Sequence, residues 1–284
     1  MKLFCFGFGY TARVLAAELA GADRAITGTR RALRASDDTE TPLVAFPGEA
    51  REPGVTAALA GATHILVSVP PDIEGDPVLR HHAADIAALP ELAWIGYLST
   101  IGVYGDTQGA LVNETSPVRP ATERSLRRRY AEQSWLRFGK QHDKRVEIFR
   151  LPGIYGPGRS VIDNLRAGTA KRIVKPGQVF NRIHVSDLAM VLAKAMRSGP
   201  QFDVYNVADD EPAPPEAVVA YAAELLGLPP PLAIPFAEAK LTPMAASFYA
   251  ECKRVDNARM KAALAIHLAY PTYREGLLSI VTGR

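Results

Sequence analysis

The stretch Lys2-Leu3-Phe4-Cys5-Phe6-Gly7-Phe8-Gly9-Tyr10-Thr11-Ala12 decides how this 284-residue chain is read. Lys2–Phe6 is a compact apolar run, the pattern of a buried strand. Val14, Leu15 and Leu19 follow at helical spacing and predict a helix over Tyr10–Ala20. Between them lies G-x-G-x-x-A, placed where a strand hands over to a helix. Gly7 permits the tight turn, Gly9 lets backbone approach a pyrophosphate, and Ala12 lets the helix pack on the strand. The unpaired N–H groups of the first helical turn then face an anion. Gly7, Phe8, Gly9, Tyr10, Thr11 and Ala12 are thus the candidate dinucleotide-contacting segment. The competing reading is a tight turn without a ligand, and the further strand–helix units downstream weigh against it.

Working outward, Asp23–Thr29 contains a second strand, Leu43–Phe46 a third, and a short helix lies near Val55–Leu59. Thr63–Val69 (THILVSV) is a β-branched strand stopped by Pro70-Pro71. Pro77–Ala88 reads as a helix, Leu92–Leu98 as a strand ending at Ser99-Thr100, Glu123–Phe138 as a helix and Arg145–Arg150 as a strand. Strands separated by helices imply parallel pairing with right-handed crossovers. The expected class is α/β: a Rossmann-type doubly wound parallel sheet with a smaller C-terminal α/β substrate lobe. Residues 1–157 form the dinucleotide-binding domain on this reading, with returns from about 180–207, and 158–284 mainly form the smaller lobe. There, Val185–Met196 is a helix expected to be capped by Ser186 or Asp187. Asp203–Val207 is a short strand and Pro214–Leu226 a helix. The remainder is helical and broken by prolines.

The end of the second strand bears on which dinucleotide fits. An acidic residue there would bond the adenosine ribose of NAD. The chain has Gly28-Thr29-Arg30-Arg31-Ala32-Leu33-Arg34 instead. Thr29, Arg30 and Arg31 are cofactor-contacting candidates, and the guanidinium groups suit a 2′-phosphate, so NADP is expected rather than NAD. The formal net charge is +3 and no basic stripe carries interleaved aromatics, which argues against nucleic acid. No apolar run is long enough for a membrane span or shaped as a signal peptide, so a cytoplasmic protein is expected. Cys5 and Cys252 make neither a disulfide framework nor a zinc spacing, and no metal site is expected. His81-His82 read as exposed helix residues without ligand partners.

Five segments in order resemble the extended short-chain dehydrogenase/reductase superfamily, in its NAD-dependent epimerase/dehydratase-like branch. They are GFGYTA (7–12), LSTIGVYGD (98–106), FRLPGIYGPGRS (149–160), RIHVSDLA (182–189) and VYNVADDEP (204–212). The detail is similar to small atypical members. The resemblance implies that Thr100 is the catalytic hydroxyl that hydrogen-bonds the substrate oxygen, with Ser99 as fallback. It implies that Val69 and Pro70 line the adenosine and ribose, that Pro152, Gly153, Ile154 and Tyr155 match the segment beside the nicotinamide, and that Arg159 lies on a substrate-contacting loop. Tyr155 is carried forward as a substrate-side residue.

The chain departs from the family on the 123–138 helix. The family's Tyr-x-x-x-Lys pair, one helical turn apart, falls on Arg124 and Arg128, or one residue on at Ser125 and Arg129. Arg128 is retained as a ribose-binding candidate, although a guanidinium is a poor proton shuttle. Replacement acids are Tyr104 first, then Tyr155; His184 reads rather as structural. Arg159 and Arg182 are candidates to receive an anionic group. Two functions stand open. One is an NADP-dependent oxidoreductase or epimerase acting on a small hydroxyl or carbonyl compound such as a sugar derivative. The other is a catalytically silent NADP-binding sensor or interaction protein. The expected partner is a small-molecule substrate, with room for an oligomer.

Overall fold

The computed structural model describes residues 1–19, 21, 24–34 and 40–283. Ala20 and Asp23, expected at the end of the first helix and the start of the second strand, lie outside them. In chain order the first elements are β1 (Lys2–Phe6), α1 (Tyr10–Glu18), β2 (Ala25–Arg30), β3 (Leu43–Ala45), α2 (Pro53–Leu59), β4 (His64–Val67), α3 (Pro77–Ala87) and β5 (Trp94–Thr100). A single 3₁₀ turn, Ile101–Tyr104, leads to β6 (Leu111–Val112), α4 (Glu123–His142) and β7 (Val146–Leu151). Then come β8 (Gly153–Tyr155), α5 (Val161–Arg166), β9 (Arg172–Val174), β10 (Arg182–His184), α6 (Val185–Arg197) and β11 (Val204–Asn206). The chain closes with α7 (Pro215–Leu225), β12 (Ala233–Pro235), α8 (Pro243–Tyr249), β13 (Arg254–Val255), α9 (Ala258–Leu264) and α10 (Tyr273–Thr282). Among the described residues no helix is long and apolar enough to cross a membrane.

Seven strands form one sheet in the order β11-β7-β5-β4-β1-β2-β3. The pairings of β3 with β2, β2 with β1, β1 with β4 and β4 with β5 are all parallel. This is the doubly wound α/β arrangement expected from the sequence. Strand order reverses between β1 and β4, the kind of switch point at which such sheets bind ligands beyond their strand ends. The strands are near-continuously apolar because helices cover both faces: Phe4, Phe6, Ile65, Val67, Ile95 and Tyr97 join Trp135 in one core.

The chain divides into two compact units: 1–100, 123–150 and 189–205, and 101–122, 151–188 and 206–284. The second is only slightly the smaller. The passage out of the first unit comes at Leu151 rather than after 157, and an earlier excursion, 101–122, also belongs to the second unit. Its two-residue strand β6 pairs with β13, a contact across more than a hundred residues that no local pattern announces. The second unit has its own small cores, one around Tyr155, Ile162, Tyr273 and Leu277, the other around Val103, Tyr104, Val112 and Val255.

Local chemistry sets the helix ends. Asp76 caps α3, its carboxylate accepting from the Val78 and Leu79 amides, and Pro77 supplies the preset φ of the first turn. The other Asp76 oxygen accepts from Trp135 Nε1 at 3.1 Å, which ties α3 to α4. Asp187 was expected to cap α6 and does not. Its two oxygens accept the Ala269 and Tyr270 amides at 2.8 and 2.9 Å, holding a distant loop of the same unit. Cys5 is buried in β1, and burial pushes its thiol up to about 12, so it packs as a hydrophobe.

His82 corrects the expectation of exposed helix histidines: it is fully buried. Its Nδ1 donates to Asp85 at 2.9 Å, while Nε2 accepts the Glu52 amide at 3.4 Å. Burial holds the ring neutral by lowering its pKa. Asp85 also accepts from Arg51 (2.6 and 3.0 Å) and Thr56 (3.1 Å), clasping α2 to α3. The Arg51 hydrogen bonds draw the Asp85 carboxyl down to about 2. A folded-state pKa below the unfolded value stabilises at higher pH and is lost as pH falls through the folded value. Denaturant titrations of wild type and Asp85→Asn should therefore differ at pH 6, converge between about pH 4 and pH 2, and coincide at the low end.

Candidate dinucleotide turn and second-unit cavity

The Gly7 turn lies at the point where strand order reverses. Gly7 adopts φ +89°, a left-handed conformation that suits glycine. Its amide donates to Thr29 Oγ1 at 2.9 Å, and the Phe8 amide donates to Thr29 O at 2.7 Å. Ser68, just beyond β4, donates its hydroxyl to Gly7 O at 2.7 Å. A Cβ on Gly7 would stand 2.5 Å from that hydroxyl and 3.3 Å from the Val69 amide. Val69, expected to line the adenosine and ribose, is thus brought against the turn, and Pro70 beside it is exposed. Gly9 is exposed, has nothing within 4 Å of a Cβ position, and caps α1 with no side chain. The first-turn amides of α1 have no intrahelical acceptors by helix geometry. This cradle fits a dinucleotide pyrophosphate.

The neighbouring candidates divide. Phe8 is buried and packs over Gly28, where a Cβ would stand 2.6 Å from its own. Thr29 is 1% exposed and spends its hydroxyl on Gly7, so it supports the turn from beneath instead of facing a ligand. Arg30 is half-buried at the end of β2, and Arg31 follows exposed. Ser68 was not singled out from the sequence. A serine ending a β-branched run looks like any strand terminus until its partner Gly7, sixty-one residues away, is known.

At the end of β5, Thr100 is half-buried and Ser99 is buried. Ser99 Oγ donates to Glu132 Oε1 at 2.5 Å. Arg150 Nε and Nη2 donate to the same carboxylate at 3.1 and 2.8 Å, with both side chains at most 7% exposed. Ser99 is therefore committed to a buried ion pair joining α4 to β7 and β5, which removes it as a fallback donor. The signal for this pair was Arg150, a charge set between the apolar Phe149 and Leu151 of β7. Arg128 reaches across to β5, its Nη1 donating to Leu98 O at 2.8 Å and to Tyr97 Oη at 3.0 Å. Its guanidinium also lies 5.6 Å from the centre of the Tyr97 ring. Burial pushes the Tyr97 phenol well above its usual range, although Arg128 pulls the other way. Tyr130, the one tyrosine of α4, is 57% exposed.

In the second unit Tyr104 is 1% exposed and donates its hydroxyl to Asn206 Oδ1 at 2.7 Å. Asn206 in turn donates its side-chain amide to Asp256 O and its backbone amide to Glu114 Oε1. That buried network takes Tyr104 out of the role of accessible proton donor. His184 is buried, accepts the Ser186 amide on Nδ1 at 3.3 Å, and packs its ring 4.1 Å from that of Tyr270. Burial draws it down to about 4, so it is neutral at pH 7.

Pro152 is half-buried ahead of β8. β8 and β10 pair in parallel, with Gly153 opposite Arg182 and Tyr155 opposite His184. Together with the Gly156–Arg159 turn and the start of α5 they line a cavity of about 440 Å³. Gly153, Ile154, Tyr155 and Arg159, proposed from one segment, and Arg182, proposed from another, all border it. Tyr155 is 8% exposed, and burial, reinforced by Asp209 and Asp187, raises its phenol far above the usual value.

The model of the NAD dependent epimerase/dehydratase family matches residues 86–208. A functionally unknown conserved protein from Silicibacter pomeroyi DSS is 47% identical, with 99% of this chain and 98% of that one covered and a TM-score of 0.87. The dTDP-glucose 4,6-dehydratase of Bacillus anthracis str. Ames, solved with NAD, aligns at TM-score 0.80 and 17% identity over 99% and 96% of the chains. Residues 86–208 thus carry the epimerase/dehydratase family's segment, and the chain as a whole shares the Rossmann-type fold of these solved structures. The UDP-glucose 4-epimerase of Thermotoga maritima, solved with UDP-glucose, shares the fold at TM-score 0.80 and 15% identity over 99% and 98%. A search of curated proteins finds no match.

Set against the pattern that the sequence resemblance implies, this chain has the glycine turn and carries arginines on α4 in place of Tyr-x-x-x-Lys. Breaking a buried ion pair by removing one partner costs about 3–5 kcal/mol, because the other charge is left unpaired. Glu132→Ala should lose stability of that order in urea unfolding, and Glu132→Gln, which keeps the side-chain volume and one acceptor oxygen, should lose less. Equal stability of Glu132→Ala and wild type would show that the pair does not hold α4 to the sheet.

Proposed function

We propose that the protein binds NADP and acts as an oxidoreductase or epimerase on a small hydroxyl or carbonyl compound, such as a sugar derivative. The observation that carries the reading is the Gly7 turn, open and uncapped where the strand order reverses, with Arg30 and Arg31 at the end of β2. Its amides and the start of α1 would hold the pyrophosphate, and the two guanidinium groups would select the 2′-phosphate. Bound NADP supplies hydride transfer. The rest falls to side chains of this chain. Thr100 would donate a hydrogen bond to the substrate oxygen, Arg128 would hold the ribose, and Val69 and Pro70 would border the adenosine. Pro152, Gly153 and Ile154 would flank the nicotinamide, while Tyr155, Arg159 and Arg182 would receive substrate. UDP-glucose in one solved relative and NAD in another support a sugar-nucleotide-like ligand class.

A second reading is a catalytically silent NADP-binding sensor. It is favoured by the exposure of Tyr130, the one tyrosine of α4, and by the commitment of the Tyr104 hydroxyl to Asn206, which take both phenols out of the proton-donor role. Following NADPH absorbance against alcohols, aldehydes and nucleotide sugars separates the two. Turnover that drops about 10²-fold or more in Thr100→Ala, with NADPH affinity kept, is the expected outcome. Turnover indifferent to that substitution would reject the role of Thr100, and absence of turnover with every compound would favour the sensor. Arg30→Ala with Arg31→Ala should raise KM for NADPH much more than for NADH.

A further inference from the structure

Resting on the substrate role proposed for the second-unit cavity, we infer that Arg182 binds an anionic group of the ligand there and that Asp209 makes this binding proton-linked. Arg182 borders the cavity on β10. Among the described residues its guanidinium donates from Nη1 to the Phe180 and Ala213 carbonyls, at 2.9 and 3.3 Å, and no carboxylate lies within ion-pair distance. Nε and Nη2 remain for a ligand, in the fork geometry that matches phosphate or carboxylate oxygens. Asp163, the acidic residue of the cavity wall, is turned away: its carboxylate accepts the Ser160 amide and hydroxyl in the cap of α5. A phosphate or carboxylate therefore meets a cation with no resident counterion in contact.

The nearby negative charge is Asp209. Its amide donates to the Arg182 carbonyl at 2.7 Å, its side chain is 2% exposed, and among the described residues its buried carboxylate has no side-chain partner, with the Glu211 amide the one backbone group that leans on it. A buried carboxylate in that state favours its neutral form. Burial lifts Asp209 to about 8; Arg182 and the Glu211 amide pull it down, and Asp210 and Glu211 push it further up. Burial also lowers the Arg182 guanidinium, with Asp209 opposing it, and raises the Asp187 carboxyl, which the Ala269 and Tyr270 amides draw back down. Burial raises the phenols of Tyr155 on β8, Tyr249 on α8 and Tyr273 on α10, and His184 stays neutral. Asp210 is paired with Lys261, and Glu211 with Arg274. One positive charge thus has two alternative counterions. With ligand bound, Asp209 keeps its proton; without ligand and at higher pH, Asp209 ionises and neutralises Arg182 from within. Ligand binding takes up a proton wherever Asp209 is ionised beforehand, so affinity falls as pH rises through about 8.

The test uses sulfate, whose charge is constant from pH 6.5 to 9, titrated into the full chain and followed on the Arg182 side-chain N–H resonances, assigned with Arg182→Lys. The expected result is a saturable shift whose Kd is roughly tenfold weaker at pH 9 than at pH 6.5. Asp209→Asn, nearly isosteric and permanently neutral, should hold the low-pH Kd throughout. No saturable shift at Arg182, a constant Kd in wild type, or a tenfold pH dependence surviving in Asp209→Asn would each overturn the inference. NADPH binding measured on the same sample separates the two proposals. Retained NADPH binding with a silent Arg182 removes this inference alone, and a proton-linked Arg182 shift without NADPH binding upholds it while removing the dinucleotide reading.

Discussion

One clamped residue organises the nucleotide end of this protein. Gly7 is held in a left-handed conformation by three bonds from neighbouring strands: its amide to the Thr29 hydroxyl, the Phe8 amide to the Thr29 carbonyl, and the Ser68 hydroxyl to its own carbonyl. Because β2 and the end of β4 supply these partners, the turn is rigid only when the parallel order around β1 is complete. Everything that makes the turn receptive follows. The chain reverses in two residues, Gly9 stays open, and α1 begins with no side chain over its first amides. Such preorganisation matters because a buried or ligand-facing amide that had to find its geometry on binding would give back much of the interaction as ordering entropy.

A second constraint runs along α4. This helix carries many charges, buries Ala131, Trp135 and Phe138 in the core, and adds specific polar bonds to its neighbours. Trp135 donates to Asp76, Glu132 receives Ser99 and Arg150, and Arg128 reaches the Leu98 carbonyl. Each bond compensates a desolvation that would otherwise be costly. The same contacts fix the end of β5, where Thr100 sits. In place of a phenol activated by an ammonium, α4 presents a guanidinium already bonded to backbone and to a buried phenol, an arrangement suited to binding and poor at proton transfer.

The strands and helices of the first unit were legible because their signals are local. Lys2–Phe6 is uniformly apolar, Val14, Leu15 and Leu19 repeat at helical spacing, and Pro77 and Pro71 punctuate. The turn was legible for the same reason, since its glycines and the strand before them are contiguous. The residues misjudged or overlooked all depend on partners far along the chain. Asp187 looks like a cap and binds amides eighty-two and eighty-three residues away. Thr29 looks like a ligand contact and is spent on Gly7. His82 looks exposed and is enclosed between α2 and α3, and Tyr104 looks available and is bonded to Asn206. A single polar side chain carries no sequence mark of where its partner lies. The cavity residues Gly153, Ile154, Tyr155, Arg159 and Arg182 were found through the family resemblance and the charge of two arginines, and pairing of β8 with β10 gathers them.

The account rests on the turn at Gly7 being a coenzyme cradle with a basic gate at Arg30 and Arg31. Isothermal titration calorimetry of the purified chain with NADPH and, separately, NADH tests it most directly. The account predicts saturable heat at one site per chain, with NADPH bound more tightly than NADH. Absence of heat with both coenzymes would contradict the cradle, and tighter binding of NADH would contradict the gate.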